Sequence, residues 1–481
     1  MPEPKRQSRQ PKMGRLVIVS NRLPVNLIWD EVGRWKAQPS LGGLVTALAP
    51  ILRDRGGLWV GWPGISEDVD LGEATARVGE GIGYELKSVM LTEEETDGYY
   101  LGFSNEIIWP LFHDLQNLCN FDPAYWKMYQ AVNHKFADVV ARDVRKNDYV
   151  WVQDYHLMMV AKELRGMGVD CRVGFFLHIP FPPLDIFMKL PWRRQILEAM
   201  LEYDLLGFQT ARDRSNFIHC LETLSKGYRH DARRQVFAVT APGREVKIGS
   251  FPIGIDFDGF VREASDSLVA NRAKELRRAM AGRQIILGVD RLDYSKGIPQ
   301  KLQAFADALE RFEDLHGNVT LVQVAVPSRE DIPRYKDLKA EVEGLVSEIN
   351  GRFTRSGWVP IHYMFRSLER TELLAYYRAA EIALVTPLKD GMNLVAKEYC
   401  AAKLDNNGVL ILSEFAGAAT QLRRSSLLVN PYDIEGVADA IYQAYNMGMN
   451  ERRWRMRRLR RSIRKRDIFW WADSLLREAV T

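Results

Sequence analysis

The sequence predicts an α/β protein made of two similar halves, and three observations carry this. Apolar runs of strand length alternate with stretches of helical length and period, the pattern of layered α/β folds. The alternation restarts after Phe251-Pro252-Ile253-Gly254-Ile255. Polar side chains cluster just past the strand-like runs in both halves, where open α/β sheets bind their ligands. A chain of 481 residues also exceeds one ordinary core and fits two or three domains.

The elements follow in order. Leu16-Val17-Ile18-Val19 is a first strand, followed by Ser20-Asn21-Arg22, and Leu44 to Leu52 is the next helix. Tyr149-Val150-Trp151-Val152 is a buried strand ended by Gln153-Asp154-Tyr155-His156. Val173 to Leu177 is another, ended by His178-Ile179-Pro180, and Leu205 to Phe208 a fourth. In the second half, Ile285 to Val289 is a strand and Pro299 to Phe312 a helix. Val319 to Val326 is a strand followed by Pro327-Ser328-Arg329. Ile382 to Val385 runs into Thr386-Pro387-Leu388-Lys389-Asp390-Gly391, and Val409 to Leu412 is a late strand.

Composition sets the class. With 46% apolar and 27% charged residues the chain is an ordinary soluble protein able to bury substantial cores. Its 66 basic and 62 acidic side chains nearly cancel, which argues against a general polyanion binder, so no nucleic-acid partner is expected. Cys119, Cys171, Cys220 and Cys400 show neither CxxC nor zinc spacing and read as reduced thiols. Residues 1–13 read as a disordered basic tail without an apolar signal core, and no apolar run is long enough to span a bilayer. A cytoplasmic location, away from membranes, is expected. The segment ERRWRMRRLRRSIRKRD, residues 451–467, reads as a helix with a solvated basic face and with Met456, Leu459 and Ile463 inward.

The chemistry concentrates in a few stretches. In GVDRLDYSKG, residues 288–297, Arg291 and Lys296 stand between a strand and a helix, where backbone N–H groups also point outward. That suits a phosphate or diphosphate; the alternative is that both cations pair with Asp290, Asp293 and nearby carboxylates. In TPLKDGMNLVAKEY, residues 386–399, a tight loop precedes a helix starting at Leu394. Its first amides offer another anion site, Asp390 could hold sugar hydroxyls, and Glu398 could hold paired hydroxyls as an acidic residue holds a ribose. The alternative is an N-capping Asp390 and a surface Glu398. In the first half, Arg22 follows a strand, Gly42-Gly43 lets a ligand approach the backbone, and Tyr99, Tyr100 and Trp109 lie in one aromatic stretch. Asp154 and His178 each follow a buried strand. There is no HExxH, no GxxxxGK[ST], no clean GxGxxG and no GxSxG, so metal, ATP, dinucleotide and serine-hydrolase readings lose ground.

Taken together, VSNRLPV, SLGGLVTAL, GLWVGWPG, YYLGFSNEIIWP, WVQDYHL, FFLHIPFPP, DLLGFQT, FPIGID, RLDYSKG, TPLKDGMNLVAKEY, LSEFAGAA and VNPYD resemble the trehalose-6-phosphate synthase family, retaining glycosyltransferases of family 20. They run in order from the first strand to Asp433, nearly the whole chain. The resemblance implies the GT-B fold, two Rossmann-like domains facing across a cleft. Residues 14–255, joined by the C-terminal helix 460–481, would bind the acceptor, and residues 256–459 the nucleotide sugar. It implies transfer of glucose from UDP-glucose to glucose 6-phosphate, giving α,α-trehalose 6-phosphate and UDP, with no metal and no cofactor. Retention would come from same-face attack, a donor phosphate oxygen taking the acceptor's proton.

Residue by residue, the resemblance implies that Arg291 and Lys296 clasp the donor diphosphate, that Leu394 and Val395 add backbone amides, and that Glu398 holds the ribose. Asp390 and His178 would bind hydroxyls of the transferred glucose, with Gly43 close to the donor. Arg22, Arg329 and Tyr100 would hold the acceptor phosphate, and Trp109 and Asp154 would line the acceptor sugar pocket. Arg291, Lys296, Asp390 and His178 would be the residues nearest the chemistry, His178 as a positioning group. Gln153 departs from the histidine that many of the family carry there. Two alternatives stay open: a glucosylglycerol-phosphate synthase taking glycerol 3-phosphate, and a non-catalytic sugar-phosphate sensor. A homo-oligomer is compatible with the resemblance, which does not settle the donor nucleotide.

Overall fold

The computed structural model describes residues 14–29, 35–39, 43–65, 82–225, 229–230, 237–241, 244–329 and 332–480. The basic tail 1–13 and Gly42 lie outside the described residues. The chain divides into two compact units: Met1–Ile108 with Asn120–Phe251 and Ala472–Thr481, and Trp109–Cys119 with Pro252–Trp471.

The N-terminal unit is built on a nine-stranded sheet. In spatial order its strands are Glu85–Ser88, Leu58–Trp62, Leu16–Arg22, Tyr149–Gln153, Arg172–Leu177, Leu205–Phe208, Arg244–Ser250, Phe237–Ala241 and Arg229–His230. The first seven run parallel, and the last two join antiparallel. Central parallel strands are covered on both faces and therefore read as unbroken apolar runs; Val17, Ile18, Val19, Val150, Trp151 and Val152 are all fully buried. Strand order reverses between Leu16–Arg22 and Tyr149–Gln153, which pair through Leu16↔Tyr149 to Val19↔Val152. Arg22 and Asp154 stand at the carboxyl ends of these two strands, outside the point where ligands bind in open α/β sheets.

The aromatic stretch at 97–110 is an element that periodicity did not foretell. Thr96–Ile108 winds as a π-helix continued by the short helix Trp109–Phe112. Wide turns of this kind are rare and gather at functional sites. Tyr99, Phe103 and Ile107 face inward, and the Tyr99 hydroxyl donates to Asn21 Oδ1 at 2.9 Å.

The C-terminal unit carries an all-parallel sheet of six strands: Ile361–Phe365, Val319–Val326, Gln284–Arg291, Ile382–Val385, Val409–Ser413 and Leu427–Val429. Here too the order reverses once, between Gln284–Arg291 and Ile382–Val385. The strand expected at 285–289 extends through Arg291, so that cation is its last residue rather than part of the following loop. Lys296 ends a short 3-10 turn, Tyr294–Lys296, and Gly297 (φ 63°) starts the helix Ile298–Arg311. A side chain at Gly297 would be strained by that φ and would press within 3.1 Å of the Thr386 carbonyl. The core gathers Ile286, Leu302, Phe305, Leu321, Leu384, Ile411 and Ile441.

The basic segment is the helix Met449–Lys465 with Met456, Leu459 and Ile463 buried, as its pattern requires. Trp471 is fully buried. Among the described residues no helix is long and apolar enough to cross a membrane.

Candidate functional site

In the C-terminal unit the sequence-predicted cations surround one carboxylate that the sequence had placed among their partners only as an alternative. Asp293 is fully buried. Its Oδ1 accepts from the Ser295 amide at 2.9 Å, the Ser295 hydroxyl at 2.7 Å and Trp109 Nε1 at 3.3 Å. Its Oδ2 accepts from Arg329 Nη1 at 3.0 Å and the Tyr335 hydroxyl at 3.1 Å. Burial by itself would raise this carboxyl, but Arg329, Arg291 and Lys296 outweigh it and hold it well below the usual range.

Trp109 organises the cations from its face. The guanidinium carbons of Arg329 and Arg291 lie 4.2 and 5.2 Å from its ring centre, and Lys296 Nζ lies 6.0 Å away. These are cation–π distances. The ring of His113, one turn on, sits 4.2 Å from Trp109, and His113 Nδ1 donates to the Trp109 carbonyl at 2.7 Å. Burial, with Lys296 nearby, pushes this imidazole down to about 3, so it is neutral.

Lys296 pairs with Asp390 Oδ2 at 2.7 Å. Asp390 also accepts from the Met392 amide at 3.1 Å and Asn393 Nδ2 at 3.3 Å. Burial opposes its charge, yet Lys296 and these donors lower it overall. Asp390 is not the helix cap: Asn393 (φ 63°) takes that place and accepts from the Ala396 amide. The amides of Leu394 and Val395 belong to the first turn of Leu394–Ala402, whose N–H groups have no partner within the helix. Glu398 is half-buried and accepts from the Tyr377 hydroxyl at 2.9 Å, so it is not a free surface carboxylate.

The alternative pairing of the cations is thus corrected in part. Asp290 is bound by Lys301 and by Gln323 Nε2, away from the clasp. Arg291, exposed at the strand end, pairs with no carboxylate among the described residues. Among the described residues, Arg291, Lys296 and Arg329 outnumber Asp293 and Asp390 at the carboxyl end of the strand-order reversal. That is the place and the sign for a bound phosphate ester.

The N-terminal unit holds the other predicted residues. The Arg22 guanidinium lies 4.6 Å from the Trp62 ring centre and pairs with no carboxylate among the described residues. Trp62 lies 6.0 Å from Tyr100, which stacks on His156 at 5.9 Å. Gly64 (φ 90°) makes room: a Cβ there would fall 2.1 Å from Arg22 Nη2. Gly43 starts the helix Gly43–Arg55.

Asp154 takes a left-handed backbone (φ 70°) just past its strand, as Arg329 does (φ 51°). Non-glycine residues hold such conformations only where the surroundings enforce them, which is common at functional sites. Asp154 Oδ1 accepts from the His178 amide at 3.1 Å. The His178 ring is buried between two amides, Gln153 Oε1 at 2.9 Å from Nε2 and Gln209 Nε2 at 3.3 Å from Nδ1. Desolvation lowers this imidazole to about 3. The residues missed from sequence are Asp293 as organiser, Tyr335, Tyr377, His113, Gln153 and Gln209. The spacing Trp109–His113, one helical turn, was the available signal for His113.

A family model, glycosyltransferase family 20, matches residues 14–481. The trehalose-6-phosphate synthase of Mycobacterium leprae is 44% identical over 468 residues, covering 96% of this chain and 93% of its own length. Among solved structures, an α,α-trehalose-phosphate synthase (UDP-forming) from Burkholderia xenovorans in complex with glucose-6-phosphate aligns at TM-score 0.87 with 36% identity, covering 97% of this chain and 100% of that one. An E. coli structure bound with UDP-2-fluoro glucose aligns at TM-score 0.87 with 38% identity, covering 97% and 99%. With its two parallel-sheet α/β units and this match over nearly its full length, the chain belongs to glycosyltransferase family 20 and has the GT-B fold.

Proposed function

We propose that the chain transfers glucose from UDP-glucose to glucose 6-phosphate with retention, giving α,α-trehalose 6-phosphate and UDP. The observation that carries this is the exposed Arg291, which pairs with no carboxylate among the described residues, beside the Lys296–Asp390 pair at the strand-order reversal of the C-terminal unit. Breaking the donor's glycosidic bond leaves extra negative charge on the β-phosphate. Arg291 and Lys296 face it as it develops, and preorganised charge of this kind lowers the barrier directly. Leu394 and Val395 supply amides to the same diphosphate, and Glu398, oriented by Tyr377, takes the ribose hydroxyls. A carboxylate has about four lone-pair positions; Asp390 fills three with Lys296, Met392 and Asn393, which leaves room for a hydroxyl of the transferred glucose.

In the N-terminal unit Arg22, with Tyr100 beside Trp62, takes the phosphate of the acceptor, and Asp154 and His178 take sugar hydroxyls. Arg329 and Trp109, which the resemblance implies at the acceptor, lie in the C-terminal unit, where the Arg329 guanidinium sits 4.2 Å from the Trp109 ring centre and Asp293 accepts from both. Gly43 leaves space for the donor. No protein nucleophile is needed, since a donor phosphate oxygen takes the proton of the attacking hydroxyl. We place the protein in the cytoplasm, where its four free thiols stay reduced.

The test is product analysis with UDP-glucose and either glucose 6-phosphate or glycerol 3-phosphate. Transfer to the first is the expected result, and transfer only to the second overturns the acceptor. Replacement of Arg22 by Ala should raise the KM for glucose 6-phosphate about tenfold or more, the value of one charge-assisted contact, while the KM for UDP-glucose stays near normal. Equal changes in both constants would remove Arg22 from the acceptor phosphate. Because side-chain cations neutralise the leaving group, a chelator should leave turnover unchanged; loss of turnover restored by a divalent ion would contradict this.

A further inference from the structure

Gln153 ends one strand of the N-terminal sheet, His178 follows the parallel strand beside it, and their side chains meet. We infer that Gln153 is a positioning residue: it fixes the His178 proton on Nε2, so that Nδ1 presents a lone pair that accepts a hydrogen bond from a hydroxyl of the transferred sugar. The inference rests on the transferase reading above and adds the tautomer and the residue that sets it.

The argument starts at the amide. Gln153 is fully buried, and its Nε2 donates to the Trp151 carbonyl at 3.3 Å. Its oxygen is therefore the atom that lies 2.9 Å from His178 Nε2. An amide oxygen only accepts, so Nε2 must carry the hydrogen. In a neutral imidazole the other nitrogen is then an acceptor. Gln209 Nε2, a donor, stands 3.3 Å from Nδ1, which agrees with that assignment. This contact is the longer of the two that the ring nitrogens make with the amides.

The surroundings keep the ring neutral. Phe176 packs 4.7 Å from it. Asp154 Oδ1 meets His178 at the backbone amide. A histidine at 153 could either donate or accept and would leave the tautomer open. A glutamine anchored on Trp151 closes that choice.

The experiment is nitrogen-15 NMR of the full chain labelled at histidine, the His178 signal being assigned by its loss in His178→Asn. The expected result is a neutral ring protonated at Nε2 and unchanged between pH 5.5 and 9, values spanning about a unit and more either side of the ordinary histidine pKa. In Gln153→Glu a carboxylate faces Nε2 and favours the imidazolium. His178 should then titrate within that range, and kcat at saturating substrates should fall about tenfold or more at the acid end and recover as pH rises, the order expected when a wrongly protonated imidazole replaces the right one. The KM for glucose 6-phosphate should stay within about twofold. Gln153→Met, with no acceptor, should lower kcat at every pH without a new pH dependence. A wild-type ring protonated at Nδ1, or a Gln153→Glu enzyme with the wild-type pH profile, overturns the inference. Should the variants fail to fold, the wild-type tautomer decides alone. Absence of glucose transfer by the wild type would instead sink the transferase reading and leave the tautomer measurement standing.

Discussion

Replacing Arg291 by Ala should reduce kcat by about two to three orders of magnitude, the usual cost of removing one donor aimed at developing negative charge. The protein should fold normally. Arg291 is exposed and pairs with no carboxylate among the described residues, and the buried Asp293, whose charge it helps to hold, keeps Arg329 and Lys296. UDP release with both substrates present, compared with the thermal midpoint, checks the two halves of the statement. A variant that turns over at the normal rate would mean that the diphosphate lies elsewhere. Lys296 is a less clean probe, because Asp390 would lose its ion-pair partner in the same step.

The second large effect lies in stability. Asp293→Ala should destabilise the fold by about 3–5 kcal/mol, since breaking a buried charge pair strands its partners. Arg329 would lose its counter-ion, and the Tyr335, Trp109 and Ser295 donors would lose their acceptor. Asp293→Asn keeps the shape and isolates the charge. The pH dependence follows from the direction of the shift. The carboxyl is lower in the folded than in the unfolded chain, so its contribution is complete above the unfolded value, about 3.9, and is lost as pH falls toward the folded one. Denaturant midpoints measured between pH 5 and 3 should therefore fall more steeply in the wild type than in Asp293→Asn. Parallel slopes would show that the carboxylate is not held this way.

The parallel strands were legible because strands buried on both faces leave unbroken apolar runs, as in Val319–Val326. The cations at their ends were legible because charge beside such a run has no structural role in the core. What could not be read was the pairing. Asp293, Asp290 and Lys296 are near neighbours in sequence, yet they meet Arg329, Lys301 and Asp390, which are 36, 11 and 94 residues away. Only the fold decides which carboxylate meets which cation. From the sequence Gln153 is only a departure from the histidine that many of the family carry; the structure sets its amide against the His178 ring. The π-helix Thr96–Ile108 escaped as well, since its wide turn matches neither the helical nor the strand period.

The segment from Ala472 belongs to the unit that the chain begins. Arg172 and Lys247 donate to the carbonyls of Ala479 and Glu478, and Leu475 packs over Gly207. As the polypeptide emerges from the ribosome, its first half thus stays unfinished while more than 200 later residues are made, about ten seconds or more at ordinary elongation rates. Nascent chains halted before Ala472 should accordingly be captured by chaperones that bind exposed apolar surface.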